Sequence, residues 1–271
     1  MVGERMRLRP LLLLGCAAVA VLAVGTATVL PAQEPPAKSS PAPSVDDIVA
    51  RHVAAVGGLD RIRGIKTLRE RGQITAGADR QALVLRERKR PDSTRFELTT
   101  QGVTAVFVSN GEQGWKVSPF DNDVGPTPLP EEAVAEAAEQ ADIEGPLVDW
   151  KQKGHTVELV GTETVRGREA YKLKLTLASG GERHEYIDVK TMLRTRTEST
   201  RTVRGRPLEI ETTYSDYKKI GGVQFPHLIE VLAAGRPQML RVLVEKIEVN
   251  PTIADSRFEM PAAEPAAGAK P

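Results

Sequence analysis

The stretch YKLKLTLASGGERHEYIDV, residues 171–189, decides how the chain is read. Tyr171, Leu173, Leu175 and Leu177 alternate with Lys172, Lys174 and Thr176, which gives an extended segment one apolar face and one polar face. Ser179-Gly180-Gly181 then reverses the chain, and a second extended run follows. This is a β-hairpin with one dry face. What that face meets is either an ordinary core or a cavity for something that is not protein.

The same texture runs outward in both directions. Short alternating runs bounded by Gly, Asn, Asp or Pro occupy 66–75, 80–89, 94–101, 103–109 and 113–118, and again 155–162, 169–178, 182–189, 192–203, 207–217, 224–233 and 238–249. Arg166-Gly167, Gly180-Gly181, Arg204-Gly205, Gly221-Gly222 and Gly235-Arg236 read as hairpin turns. Consecutive strands joined by tight turns form an antiparallel meander, and a meander this long curls because strands twist. The fold class is therefore mainly β, with a single curved antiparallel sheet as its frame.

Two helical segments accompany the sheet. The first follows Ser44, a good N-cap, with Asp46 and Asp47 in the first turn and Val45, Ile48, Val49, His52, Val53 and Val56 on one stripe. Gly57-Gly58 ends it, and LDRIRGI predicts a further short turn. The second begins at Pro130, with Glu131 and Glu132 in its first turn, and Gly145-Pro146 breaks it. SPFDNDVGPTPLP, before it, reads as a loop. Apolar helix stripes need burial, and the concave face of the sheet is the available surface.

With 271 residues and a formal net charge of +1, bulk charge gives no indication of a nucleic-acid partner. Arg5, Arg7 and Arg9 precede an apolar run at 11–30, with small residues up to Ala32. This pattern fits a cleaved export signal, an uncleaved anchor with its basic end in the cytoplasm, or lipidation at Cys16. All three place the folded part outside the cytoplasm. Residues 1–32 are thus signal or anchor, 33–43 a Pro/Ser-rich linker, 44–261 one domain and 262–271 a disordered tail.

No catalytic constellation appears. There is no G-x-S-x-G elbow, P-loop or dinucleotide fingerprint, and GGLDRIRG follows a helix rather than a strand. His184, Tyr186 and Asp188 share a strand face at period two, which reads as a solvated sheet face or as a set able to bind a metal, and His52 reads as a hydrogen-bonded core histidine. The chain reads as neither enzyme nor metalloprotein, and no cofactor is indicated. Trp115 and Trp150 suit packing or the lining of an apolar mouth. RTRTESTRTVRGR, 194–206, reads as a solvated strand and hairpin projecting past the sheet, or as a basic docking strip.

Residues 45–74, VDDIVARHVAAVGGLDRIRGIKTLRERGQI, and the closing segments YSDYKKIGGVQFPHLIEV (214–231) and KIEVNPTIADSRFEMP (246–261) resemble the outer-membrane lipoprotein-sorting proteins, the LolA/LolB-like group. The resemblance implies an unclosed β-barrel of about eleven strands with helices capping its concave face. It also implies a periplasmic carrier that shields lipoprotein acyl chains or other lipids, with an inner-membrane donor and an outer-membrane acceptor as partners. A membrane-tethered lipid-sensing or regulatory module without transport activity is the other role the layout allows. Expected cavity-lining residues are Leu83, Leu85, Phe96, Leu98, Leu173, Leu175, Leu177, Ile210, Tyr214, Ile229, Val231, Val242 and Val244. Val134, Ala137, Ala138 and Ala141 are expected on the inner face of a movable lid.

Overall fold

The computed structural model describes residues 43–77, 80–121, 123–203, 206–235 and 239–261. The expected export segment, Cys16, the linker up to residue 42, the tail from 262 and the turn residues Arg204, Gly205 and Arg236 lie outside the described residues. The domain opens with α1 (Val45–Val56) and α2 (Leu59–Arg63). Ser44 caps α1 by accepting from the Asp47 N–H at 3.1 Å, while the Asp47 carboxylate accepts from the Ser44 N–H at 3.3 Å, a reciprocal capping box.

Six strands follow, β1 (Thr67–Ala76), β2 (Arg80–Lys89), β3 (Ser93–Thr100), β4 (Val103–Ser109), β5 (Gly114–Ser118) and β6 (Asp123–Pro128). Helix α3 (Glu131–Ala141) leads to seven more, β7 (Thr156–Val165), β8 (Arg168–Thr176), β9 (Glu182–Asp188), β10 (Arg194–Val203), β11 (Arg206–Ile220), β12 (Val223–Ala233) and β13 (Leu240–Val249). All thirteen join one antiparallel sheet in the order β6-β5-β4-β3-β2-β1-β13-β12-β11-β10-β9-β8-β7. The sheet is not closed. First and last strands pair at its middle, and the mid-chain strands β6 and β7 form its edges.

The sheet exceeds the expected eleven strands partly because 123–128, expected as loop, is the edge strand β6. Its prolines Pro126 and Pro128 are compatible with that place, since an edge strand leaves half its N–H groups unpaired. The polar run 194–203 meets its expectation only in its outer part. Residues 200–203 pair with Arg206–Glu209 of β11 alone, past the ladders of β9 and β12, whereas 194–199 lie between β9 and β11. Arg196 is largely buried, bonded to Glu163 at 2.5 Å and stacked 3.9 Å from the centre of the Tyr186 ring. Carboxylates from β7, from β10 itself (Glu198 at 3.1 Å) and from β11 (Glu211 at 4.0 Å) allow a polar strand inside the sheet.

Helix α3 gives a measure of the curvature. It touches β3 and β4 at one side of the sheet. At the other side Glu136 pairs with Arg201 of β10, and Ser179, in the β8–β9 turn, donates to Glu139 at 3.0 Å. Seven inter-strand steps separate β4 from β10. At about 4.8 Å each they make an arc of roughly 34 Å, whereas the eleven residues of α3 reach about 16 Å. A helix this short spans that arc only if the sheet is strongly bent.

Two core clusters fill the concave side. In the first, Ile48 and Val49 of α1 and Leu147 pack on Leu173, Leu175 and Ile187. In the second, Ile62, Ile65 and Val148 pack on Leu68, Phe225, Val244 and Ile247. Fully burying each such side chain stabilises the fold by roughly 1.5–3 kcal/mol. The convex face of β1–β5 is covered by the segment after β13, where Ile253 and Phe258 pack on Val108 and Trp115. Arg257 there bonds the buried Glu87 at 2.9 Å and Glu97 at 2.9 Å, and Arg69 holds the other Glu87 oxygen at 2.7 Å.

Candidate functional site

The register assigns each expected lining residue to a face. Phe96 pairs with Phe107 and Arg86, Leu98 with Val84, Val84 with Gly72, and Ile74 with Val242. Val242 pairs with Ile229, and Ile229 with Tyr214, while Val231 and Ile210 follow on the same face of their strands. These residues share the concave face with Val244. Leu83 and Leu85 do not: they oppose Gln73 and Arg71, and Thr99 and Glu97, on the convex face. Leu83 is 58% exposed. The expectation for these two is corrected, because a one-residue slip in assigning a strand reverses every side chain.

Leu173, Leu175 and Leu177 point to the concave side but do not face open space. They are 0%, 0% and 8% exposed and pack on α1 and Leu147. The dry face of 171–177 is core in this structure. The α1 stripe is what fills the place where a cavity was expected.

Of the other expected residues, Phe96, Ile229, Val242 and Val244 line a recess together with Ile74 and Val84, with Glu70 and Arg86 at its wall, whereas Leu98, Ile210, Tyr214 and Val231 do not border it. Its volume is about 20 Å³, room for about one water. Arg88 donates to Glu70 Oε2 at 3.0 Å, and Arg86 Nη1 lies 3.8 Å from the same oxygen. Burial would raise the Glu70 carboxyl, but Arg88 and Arg86 more than offset it and hold it below the ordinary value. A second triad sits across the concave face. Glu185, fully buried, has Arg183 Nε at 3.1 Å and Arg194 Nη1 at 3.6 Å, and Arg194 stacks 4.3 Å from the Tyr214 ring centre. Each triad holds one arginine more than it has carboxylates.

In α3, Val134 and Ala141 are buried and Ala137 and Ala138 half-buried, whereas Ala135, Glu139 and Gln140 are exposed. The helix thus turns its small apolar face inward. It is bounded by Pro130 and by Gly145, which has φ 80°.

A larger space lies between the two covering segments. Val49, Ala50, Val53, Ala54 and Leu59 form one wall, and Leu147, Val148 and Trp150 the other, of a cleft of about 510 Å³. That is within the usual size of ligand pockets. Its floor is continuous with both core clusters, since Val49 and Leu147 belong to one and Val53 and Val148 pack in the other. Two exposed ion pairs tie the walls together, Lys151 to Asp46 at 2.8 Å and Arg63 to Asp149 at 2.6 Å. The sequence pointed to Trp150 as a mouth residue but not to the cleft. Ala50 and Ala54, which widen the apolar stripe of α1 beyond what one sheet contact uses, were the available signal.

The histidines have structural environments. His52 Nδ1–H donates to the Met192 carbonyl at 2.7 Å, and burial lowers its pKa. His184, Tyr186 and Asp188 do share a face, but Asp188 is taken up by Arg168, Lys190 and Thr191. Among the described residues no group of three His, Cys, Asp or Glu could hold a metal ion.

An open antiparallel half-barrel, covered on its concave side by an N-terminal helix pair and a helical connection between its two edges, defines the class. It is the LolA/LolB-like fold. A DUF1329 family protein from Desulfovibrio piger superposes with a TM-score of 0.56 at 14% identity, covering 79% of this chain and 97% of the other. LolA superfamily protein NE2245 from Nitrosomonas europaea gives 0.53 at 14% identity, with 80% and 98% covered. A domain described as an outer membrane lipoprotein-sorting protein from Vibrio parahaemolyticus gives 0.53 at 12% identity, with 79% and 97% covered. No family model and no curated protein matches the sequence.

Proposed function

We propose that this protein binds acyl chains of lipids or lipoproteins in the cell envelope, taking them in through the cleft between α1 and the 147–152 segment. The observation that carries this reading is the cleft itself. It is apolar and about 510 Å³, and its floor is the core between helices and sheet. Burying an acyl chain there removes apolar surface from water, worth about 0.8 kcal/mol per CH₂. Binding without directional bonds suits a carrier, which must also release its load.

The connection from β6 to β7 serves as the cover. Exposed ion pairs contribute only about 0–1 kcal/mol each, so displacing the 147–152 wall costs little at Lys151–Asp46 and Arg63–Asp149. Export through the N-terminal segment would place the domain in the periplasm, where acyl chains need shielding between membranes. Delivery between a donor and an acceptor membrane protein is the role that follows.

Mass spectrometry of the folded protein, purified without detergent from its own envelope, tests the reading. Bound lipid or acylated peptide is expected at about one per chain. A protein that emerges empty, and takes up no fluorescent fatty acid from solution, is not a lipid carrier.

A further inference from the structure

We infer that the amphiphile bound on the concave face carries an anionic headgroup, a phosphate or carboxylate, and that Arg86 receives it. This deepens the acyl-chain reading and rests on it. The wall of the recess is apolar, formed by Ile74, Val84, Phe96, Ile229, Val242 and Val244, yet Arg86 and Glu70 stand in it, and Arg88 reaches Glu70 from beside it. A cation against an apolar surface is costly unless something compensates it. For Arg88 the compensation is Glu70, at 3.0 Å. Arg86 has only a longer, shared contact with the same carboxylate. Its nearest carboxylate oxygen, 3.8 Å away, is the one Arg88 already holds, and its guanidinium makes no hydrogen bond among the described residues.

The other carboxylates near this end of the sheet are committed elsewhere. Glu144 is bonded to Arg90 at 2.5 Å and has Lys153 at 3.2 Å, and Asp142 is bonded to Lys153 at 2.7 Å. Arg86 is also held in place, 5.9 Å from the centre of the Phe96 ring, and its side chain is 36% exposed. A fixed, reachable guanidinium with its donors unused is built to take an oxyanion in a fork of two hydrogen bonds. The apolar residues around it continue into the second core cluster through Ile229, Val242 and Val244, and that cluster reaches Val53 and Val148 at the cleft. A tail running from an acidic group at Arg86 toward the cleft would follow these residues by displacing the packing between them.

The test compares palmitate and palmityl phosphate with the neutral monopalmitoylglycerol, and with inorganic phosphate alone, on the full chain. The acidic amphiphiles are expected to bind at least about tenfold more tightly than the neutral one, the worth of one hydrogen bond to a charged group. Arg86→Gln is expected to bring them down to the neutral level without changing monopalmitoylglycerol. Lys246→Gln, a charge-matched change at a side chain 62% exposed on the convex side, leaves all affinities as they were. Equal wild-type affinity for acidic and neutral amphiphiles overturns the inference while leaving the lipid reading intact. Binding of none of the three amphiphiles overturns the lipid reading itself. Inorganic phosphate binding as tightly as palmityl phosphate reduces the site to a free-anion site and also overturns it. Should Arg86→Gln fail to fold, the wild-type comparison decides, and Arg86→Lys is expected to retain most of the preference.

Discussion

Lys151 Nζ donates to Asp46 Oδ2 at 2.8 Å, joining the wall of the cleft that follows α3 to the first turn of α1. The same lysine lies 4.9 Å from the centre of the Trp150 ring. Both charged side chains are more than half exposed, so the contact acts as a weak latch. Lys151→Ala is expected to cost less than about 1 kcal/mol of global stability, yet to speed hydrogen exchange at the amides of 147–152 severalfold. Raising the salt concentration to about 1 M has the same effect on the wild type, because screening is then nearly complete over a few ångströms. Unchanged exchange in both experiments would show that the wall is held by packing and not by the latch.

Leu173 separates core from cavity. It is fully buried against α1, and truncation leaves a void the surroundings fill only in part. Leu173→Ala is expected to lower the unfolding free energy by about 2–5 kcal/mol, measured by urea denaturation. A cost under about 1 kcal/mol would mean that the side chain normally faces empty or exchangeable space.

Gly72 marks the seam between the two halves of the sheet. It sits at the bulge where β1 pairs with β13, and a methyl there would be driven into the Leu243 carbonyl oxygen. Gly72→Ala is expected to destabilise the protein by about 2–4 kcal/mol, in the range of overpacking with backbone displacement. Gly125→Ala, where an added methyl meets nothing within 4 Å, is the neutral comparison. Equal melting temperatures for the two variants would refute the close approach.

His52 makes stability depend on pH. Burial holds its folded pKa below the ordinary 6.5, with the nearby Arg194 adding to the shift and the Met192 carbonyl and Glu185 opposing it. The unfolded chain therefore binds a proton that the folded chain refuses. The contribution is complete above about pH 6.5 and declines as pH falls toward the folded value. Unfolding free energies at pH 7.5 and pH 5.5 are expected to differ less in His52→Gln than in the wild type. A wild-type drop that persists undiminished in the variant would assign it to other groups, such as His155, whose pKa burial also lowers.

Much of the frame was legible because alternation and turn residues report on local geometry. The 171–189 hairpin, the α1 cap at Ser44 and the β11–β12 turn at Gly221-Gly222 all follow from short-range pattern. What lay beyond reach was what each face meets. The same alternation suits Leu173 and Phe96, but only the first lies under α1. Leu83 was misplaced because nothing in QALVLRERK states which of two faces is inward. Edge strand β6 was hidden by its prolines, and the neutralisation of Arg196 by Glu163 joins residues from different hairpins. The cleft at Trp150 is formed by segments about a hundred positions apart, a relation no local pattern encodes.

The sheet order has a mechanical corollary. Because β1 lies beside β13, the strands nearest the ends of the domain make its spine, and the strands flanking the α3 connection are its two free rims. Parting those rims as a clamshell opens would leave every ladder bond along the spine intact, so the sheet can widen by bending rather than by unfolding.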